Sequence, residues 1–356
     1  MSLAKIVVIV IALGSLFFLY FKTKNKREDN VPNLIISTGL GIISNSFSGT
    51  IEMLLHCVTG QNIQTVDFGQ LIVGFIILIV GIFTLHSIHK KIYILNMPGK
   101  MKHEICIPSR LKQLKLIDYQ VKEIELDTFW LQNNLPDNLP AITPENIDLL
   151  YEQIQDTITR FSAKDGEKCF TGMSPIPFEI LAGKCYTGEK VSRYFEYISR
   201  KEMYKELDKK AINFPNLSIP ALEEADATDV LVVFSTTTKI GEKALEQFTN
   251  YPTYRIELDS CHDNAITKLE QLRKYIEDIS KILEEISEKV SKLERIHLVC
   301  STQSCVAFAL GEELRHKQNR IATVISYHYI SSSPIKYPFG IIVNGTNCGQ
   351  LYEQNS

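Results

Sequence analysis

The chain has 356 residues, of which 45% are hydrophobic and 22% charged, and its formal net charge is -3. That length holds one membrane unit plus one or two domains of ordinary size. The small negative charge excludes the broad basic footprint of a duplex nucleic-acid binder, while a small anionic ligand needs only a local pocket.

Nearly all the long apolar runs fall in the first hundred residues. Residues 6–21 (IVVIVIALGSLFFLYF) carry no charge and are followed by Lys22, Lys24, Lys26 and Arg27. The stretch Leu19-Tyr20-Phe21-Lys22 lacks the small residues that a signal peptidase requires, so an uncleaved anchor is expected. Residues 68–88 form a second span of about the twenty residues a bilayer needs. His89, Lys90 and Lys91 close it.

Between them lies the segment 33–58. At about 100° per residue, Ser37, Gly41, Ser44, Asn45, Ser48, Glu52 and His56 fall in one polar sector with an apolar side opposite. Such a helix either lies in the interface plane or spans with its stripe facing protein or water. With three spans, both basic patches fall on the side of the large C-terminal domain, as the positive-inside rule prefers. The expectation is therefore a transmembrane bundle over residues 1–92, multi-pass, with the remaining domain cytoplasmic. Ser37, Ser44, Ser48, Glu52 and His56 are then candidate pore-lining residues. The plainer alternative keeps Glu52 wet near the headgroups.

A domain boundary is expected at residues 97–99, opening a globular domain over 98–350. Residues 145–161 carry Ile147, Leu150, Ile154 and Ile158 on one helical face. A short apolar run then meets Gly172-Met173-Ser174-Pro175 and another helix, and residues 200–210 read as a charged helix. Residues 229–234 (DVLVVF) are apolar without alternation, as a strand covered on both faces requires. They run into Ser235-Thr236-Thr237-Thr238, a helix over 240–249 and a strand over 254–258. A long amphipathic helix is expected over 264–294. Residues 296–300 (IHLVC) repeat the buried-strand pattern and meet Ser301-Thr302-Gln303-Ser304 and a further helix. Strands close the domain at 321–329 and 341–343.

The repeated unit is strand, hydroxyl-rich turn, helix, strand, the mark of an open α/β sheet that binds ligands at the carboxyl ends of its strands. Hydroxyls beside helix N-terminal amides suit phosphate oxygens. Ser and Thr also favour plain helix N-caps, which is the structural alternative. Neither turn is a Walker loop, GxSxG and HExxH are absent, and no nucleophile–base pair is visible, so no enzyme is expected. Eight cysteines (Cys57, Cys106, Cys169, Cys185, Cys261, Cys300, Cys305, Cys348) form no CxxC pair. No metal or cofactor is expected, and the thiols read as reduced, as in a cytosolic compartment.

The stretch 295–329, RIHLVCSTQSCVAFALGEELRHKQNRIATVISYHY, resembles the closing segment of SAVED domains, the sensors of bacterial cyclic-oligonucleotide antiphage (CBASS) systems. GMSPIPFEILAG (172–183) is similar to that family's first-half turn, and DVLVVFSTTTKIG (229–241) to the strand and ligand loop between the halves. The resemblance implies two fused Rossmann-like (CARF-like) halves. It implies an inner-membrane effector that binds a cyclic di- or trinucleotide made by a partner nucleotidyltransferase, assembles into a homo-oligomer and perforates the lipid bilayer to abort infection. Met173, Ser174, Pro175, Ser235, Thr236, Thr237, Ser301, Thr302, Gln303 and Ser304 would line the pocket, with Lys239 and Arg255 as phosphate contacts. The competing readings are a membrane-tethered nucleotide-degrading enzyme and a passive scaffold.

Overall fold

The structure, a computed structural model, describes residues 34–43, 68–87, 90–98, 119–126, 142–209, 213–222, 224–317 and 319–352. The chain divides into two compact units, Met1–Lys90 with Arg110–Gln120, and Lys91–Ser109 with Val121–Ser356.

In the first unit, helix α1 (residues 34–43) packs on α2 (Phe68–Ser87) through glycines. A Cβ on Gly39 would lie 2.7 Å from the Leu78 backbone nitrogen, and one on Gly74 would lie 2.7 Å from the Ile43 side chain. The expected inner-membrane bundle is overturned here. Among the described residues, no helix is long and apolar enough to cross a membrane. The expected span at 6–21 and the candidates Ser44, Ser48, Glu52 and His56 lie outside the described residues. Ser37 lies in α1, where its hydroxyl donates to the Leu34 carbonyl at 2.9 Å, a bond made within its own helix.

The second unit holds two large sheets and a third of two strands. Its first half runs β1 (Lys90–Met97), β2 (Tyr119–Glu125), α3 (Pro144–Ser162), β3 (Glu167–Gly172), α4 (Ile176–Cys185), β4 (Arg193–Ile198) and β5 (Met203–Glu206). The expected boundary at 97–99 therefore falls at the end of a sheet strand. After a two-residue strand β6 (Ala225–Asp226), the second half runs β7 (Asp229–Ser235), β8 (Thr253–Glu257), α5 (Leu269–Lys289), β9 (Val290–Ser291), β10 (Arg295–Ser301), α6 (Ser304–His316), β11 (Thr323–Tyr327), β12 (Gly340–Ile342) and β13 (Leu351–Tyr352).

Strand order is β2-β1-β3-β4-β5 in one sheet and β13-β12-β11-β10-β7-β8 in the other. Read from the same side, β8-β7-β10-β11-β12 repeats β2-β1-β3-β4-β5. The directions repeat as well: β1/β3 and β3/β4 are parallel, as are β7/β10 and β10/β11, while β4/β5 and β11/β12 are antiparallel. The α/β fold of two like halves is thus present.

Local sequence explains most elements. Thr143 accepts from the Asn146 backbone N–H at 3.3 Å and caps α3, whose Ile147, Leu150, Ile154, Ile158 and Phe161 are buried. Every residue of β7 is buried, as its unbroken apolar run requires. Three expectations shift. The charged segment 200–210 is not a helix: a 3-10 turn, Ser199–Lys201, ends at Glu202 with a left-handed φ of 48°, and β5 folds back on β4. The helix expected over 240–249 is a 3-10 helix, Glu242–Phe248. The long helix is shorter than expected, ending at Lys289.

Helices α4 and α6, equivalent in the two halves, pack directly on each other. Phe170 stacks on Phe308 with ring centroids 4.2 Å apart. The described cysteines Cys169, Cys185, Cys261, Cys300, Cys305 and Cys348 are free thiols.

Candidate functional site

Parallel register brings Ser235 and Ser301 side by side at the carboxyl ends of β7 and β10. The turns that follow are stitched together. The Thr236 and Thr302 hydroxyls lie 2.9 Å apart, as do those of Thr237 and Ser301. The backbone N–H groups of Thr236 and Thr237 donate to the Ser301 carbonyl at 2.8 and 3.1 Å, and that of Thr238 to the Ser301 hydroxyl at 3.2 Å. The hydroxyls are therefore not helix caps. Gln303 occupies the N-cap position of α6 without a side-chain capping bond.

Gln303 instead faces the neighbouring loop. Its Oε1 accepts from the Ile266 N–H at 2.6 Å and its Nε2 donates to the Ile266 carbonyl at 3.0 Å. The same loop carries His262, whose N–H donates to the Thr236 carbonyl and whose ring is exposed. Cys261 Sγ lies 3.5 Å from the Ser235 carbonyl. The Ser235 hydroxyl is buried without a partner.

The first half supplies the equivalent turn. The Met173 N–H donates to the Met97 carbonyl, and the Ser174 hydroxyl reaches the Met97 and Pro98 carbonyls at 3.3 and 3.4 Å. Pro175 is buried at the start of α4. The Ser174 N–H donates to Glu179 Oε1 at 2.9 Å. The Ser304 hydroxyl of the second half lies close enough to the Glu179 carboxyl to favour its charged form.

A second carboxylate crosses between the halves. Glu196 on β4 accepts the Cys305 N–H of α6 at 2.6 Å and is joined by the Gln303 side chain. Burial pushes the Glu196 carboxyl up to about 7 and that of Glu179 well above the usual range, the latter helped by the Glu196 charge. The helix amides expected to face phosphate are thus already met by carboxylates of the protein. Sequence reasoning missed both residues. A lone carboxylate inside the otherwise apolar IPFEILAGKC was the available signal for Glu179.

Lys239 is exposed beside the Thr237-Thr238 turn. Arg255 is not available as expected: it donates to the Ile240 carbonyl at 2.9 Å and pairs with Glu242 and Glu257. The structure therefore joins the turns at 235–238 and 301–302 directly, relates Ser174 and Ser304 through Glu179, and leaves Arg255 in a separate ion-pair cluster.

A cavity of about 510 Å³ lies elsewhere, lined by residues including Val191, Tyr194, Leu272, Ile276, Ala309 and Glu312. None of the turn residues lines it. Its rim mixes Lys190, Arg273 and Arg315 with Glu277 and Glu313, so it offers no single charge to a ligand. The joined turns, at the strand ends where open sheets take their ligands, are the better candidate.

Residues 147–343, more than half of the chain, match the family described as SMODS-associated and fused to various effectors sensor domain, SAVED. No curated protein matches. Among solved structures, the chain is similar to the Acinetobacter baumannii Cap4 SAVED/CARF-domain containing receptor with the cyclic trinucleotide 2'3'3'-cAAA, at 15% identity and a TM-score of 0.44, covering 87% of this chain and 62% of that one. It is similar to the Moraxella osloensis Cap4 SAVED/CARF-domain containing receptor at 14% identity and a TM-score of 0.40, covering 83% and 59%. The chain thus spans about three fifths of the length of these receptors.

Proposed function

This chain belongs to the SAVED family of sensor domains, and on that premise we propose that it binds a cyclic di- or trinucleotide across the turns 173–175, 235–239 and 301–304. The observation that carries the reading is the cross-pairing of Thr236 with Thr302 and of Thr237 with Ser301 at the ends of the central strands. A hydroxyl both donates and accepts, so such pairs can reorient toward phosphate oxygens. Lys239 adds a cation at the exposed edge. The ligand is the product of a partner nucleotidyltransferase in antiphage defence, and binding gathers several copies of the chain. The role is sensing, with no catalytic group among these residues.

Calorimetric titration of the full chain against a panel of cyclic di- and trinucleotides tests this, with sedimentation before and after ligand. One member should bind with a Kd of about 1 μM or tighter, equivalent to roughly 8 kcal/mol. The Thr302→Glu chain should not bind it. Failure of every member, or equal affinity in the variant, would falsify the assignment of these turns.

A further inference from the structure

Two carboxylates of the first half, Glu179 and Glu196, lie beside the first turn of α6 in the second half. Glu179, on α4, is fully buried; its Oε1 accepts the Ser174 N–H while its Oε2 has no hydrogen-bond partner among the described residues. Glu196, on β4, is buried and holds the first turn of α6 through the Cys305 N–H. The groups that act on them are Ser304, Ser174 and the Glu196 charge on Glu179, and Cys305 and Gln303 on Glu196. No lysine or arginine is among these described groups, so nothing neutralises a double negative charge. Like charges buried together cannot both ionise at modest cost.

Resting on the reading of the turns as a cyclic-nucleotide site, we propose that Glu179 and Glu196 are positioning residues that tie the turns of the two halves together, and that the pair takes up a proton when the phosphates of the ligand settle above it. The proton comes from solvent and adds to a carboxylate oxygen; no other bond changes. Glu179 stays protonated throughout, with the Ser304 hydroxyl beside it, while Glu196 changes state. A ligand carrying negative charge raises the cost of the Glu196 anion, and linkage requires that protonation then favours the ligand equally. Burial already places the Glu196 carboxyl at about 7, where small changes in field change its occupancy. The exposed His262, bonded through its backbone to Thr236, carries an imidazole beside the same turns. It must be separated from the pair by mutation.

The test is calorimetry on the full chain with a cyclic trinucleotide at pH 7.5, in two buffers of different ionisation enthalpy. The parent should take up a fraction of a proton, at most about three quarters, and affinity should weaken by up to about tenfold per unit from pH 7 to 8.5. Glu196→Gln keeps an acceptor for the Cys305 N–H; it should abolish the uptake and flatten the profile, while His262→Gln should leave both in place. Uptake that persists undiminished in Glu196→Gln, or vanishes in His262→Gln, overturns the proposal. A ligand-free arm separates the tie from the ligand reading. The thermal midpoint of the parent should fall as pH rises through about 7, and that of Glu196→Gln should fall less. Identical curves overturn the tie whatever binds. Absence of ligand binding with the curves still distinct supports the tie and overturns both its ligand linkage and the cyclic-nucleotide reading.

Discussion

Gly183 on α4 and Gly311 on α6 each sit against the backbone of the other helix: a Cβ on Gly183 would lie 1.9 Å from the Phe308 carbonyl oxygen, and one on Gly311 would lie 2.0 Å from that of Ile180. The obstacles are backbone atoms, which no rotamer change can move aside. The pair sets how closely the two halves approach, and so how closely their turns meet.

Gly183→Ala should therefore destabilise the protein by about 2–4 kcal/mol, in the range of severe overpacking. Gly311→Ala should do the same. Urea unfolding followed by circular dichroism measures this, and a midpoint unchanged in both variants would show that the helices separate freely.

Asp229 anchors the opposite ends of the central strands. It receives Arg295 at 2.6 and 2.9 Å and the buried His297 at 2.9 Å, while His297 in turn meets the Tyr327 hydroxyl at 2.8 Å. Asp229→Ala should cost about 3–5 kcal/mol, because it strands partners that are at least partly buried. Burial alone would raise its carboxyl, but the bonds from Arg295, His297 and Thr228 outweigh it and hold the group well below the usual range. A depressed carboxyl stabilises above its unfolded value near 4 and loses that contribution as pH falls toward the folded value. The parent should thus lose stability below about pH 4 more steeply than Asp229→Asn.

Glu312 on α6 behaves in the opposite sense. Its Oε2 accepts the Tyr194 hydroxyl at 2.9 Å, and burial pushes its carboxyl up to about 7. A raised carboxyl leaves the folded state binding more protons than the unfolded one, so stability declines as pH rises from about 4.5 through 7. Glu312→Gln, which keeps an acceptor, should gain about 1–2 kcal/mol over the parent at pH 8.5 and nothing at pH 5. Denaturant midpoints at the two values decide it.

Lys239 and Arg255 should part company. Lys239→Ala should weaken binding of a cyclic nucleotide about fivefold to tenfold, more at low salt, with an unchanged thermal midpoint. Arg255→Ala should leave affinity alone and lower stability by about 1 kcal/mol, since its guanidinium serves Glu242, Glu257 and the Ile240 carbonyl. Equal effects of both on affinity would return Arg255 to the site.

The sequence made the second half readable because β7 and β10 are unbroken apolar runs, each followed by a run of hydroxyls and a helix. The first half hid better. Strand β1, KKIYILNM, directly follows an apolar helix and merges with it in hydropathy, and β4, RYFEYI, is bracketed by charges. The segment around β5 has the charge density of a surface helix, and only the left-handed Glu202 and its pairing with β4 decide otherwise. At the site, hydroxyls announce themselves by number. Glu179 and Glu196 do not, because a carboxylate shows its burial only when its partners, 5 and 109 residues away, are placed beside it.

Since both sheets of the repeated topology belong to one polypeptide, the turns of the two halves meet without any collision between molecules, at a ratio fixed by synthesis. Each side is also free to carry its own text: Gly172-Met173-Ser174-Pro175 on one, Ser301-Thr302-Gln303-Ser304 on the other. A symmetric pair of identical subunits must present the same chemistry twice. This chain need not, so under the proposed reading its two sides can contact unlike units of one ligand.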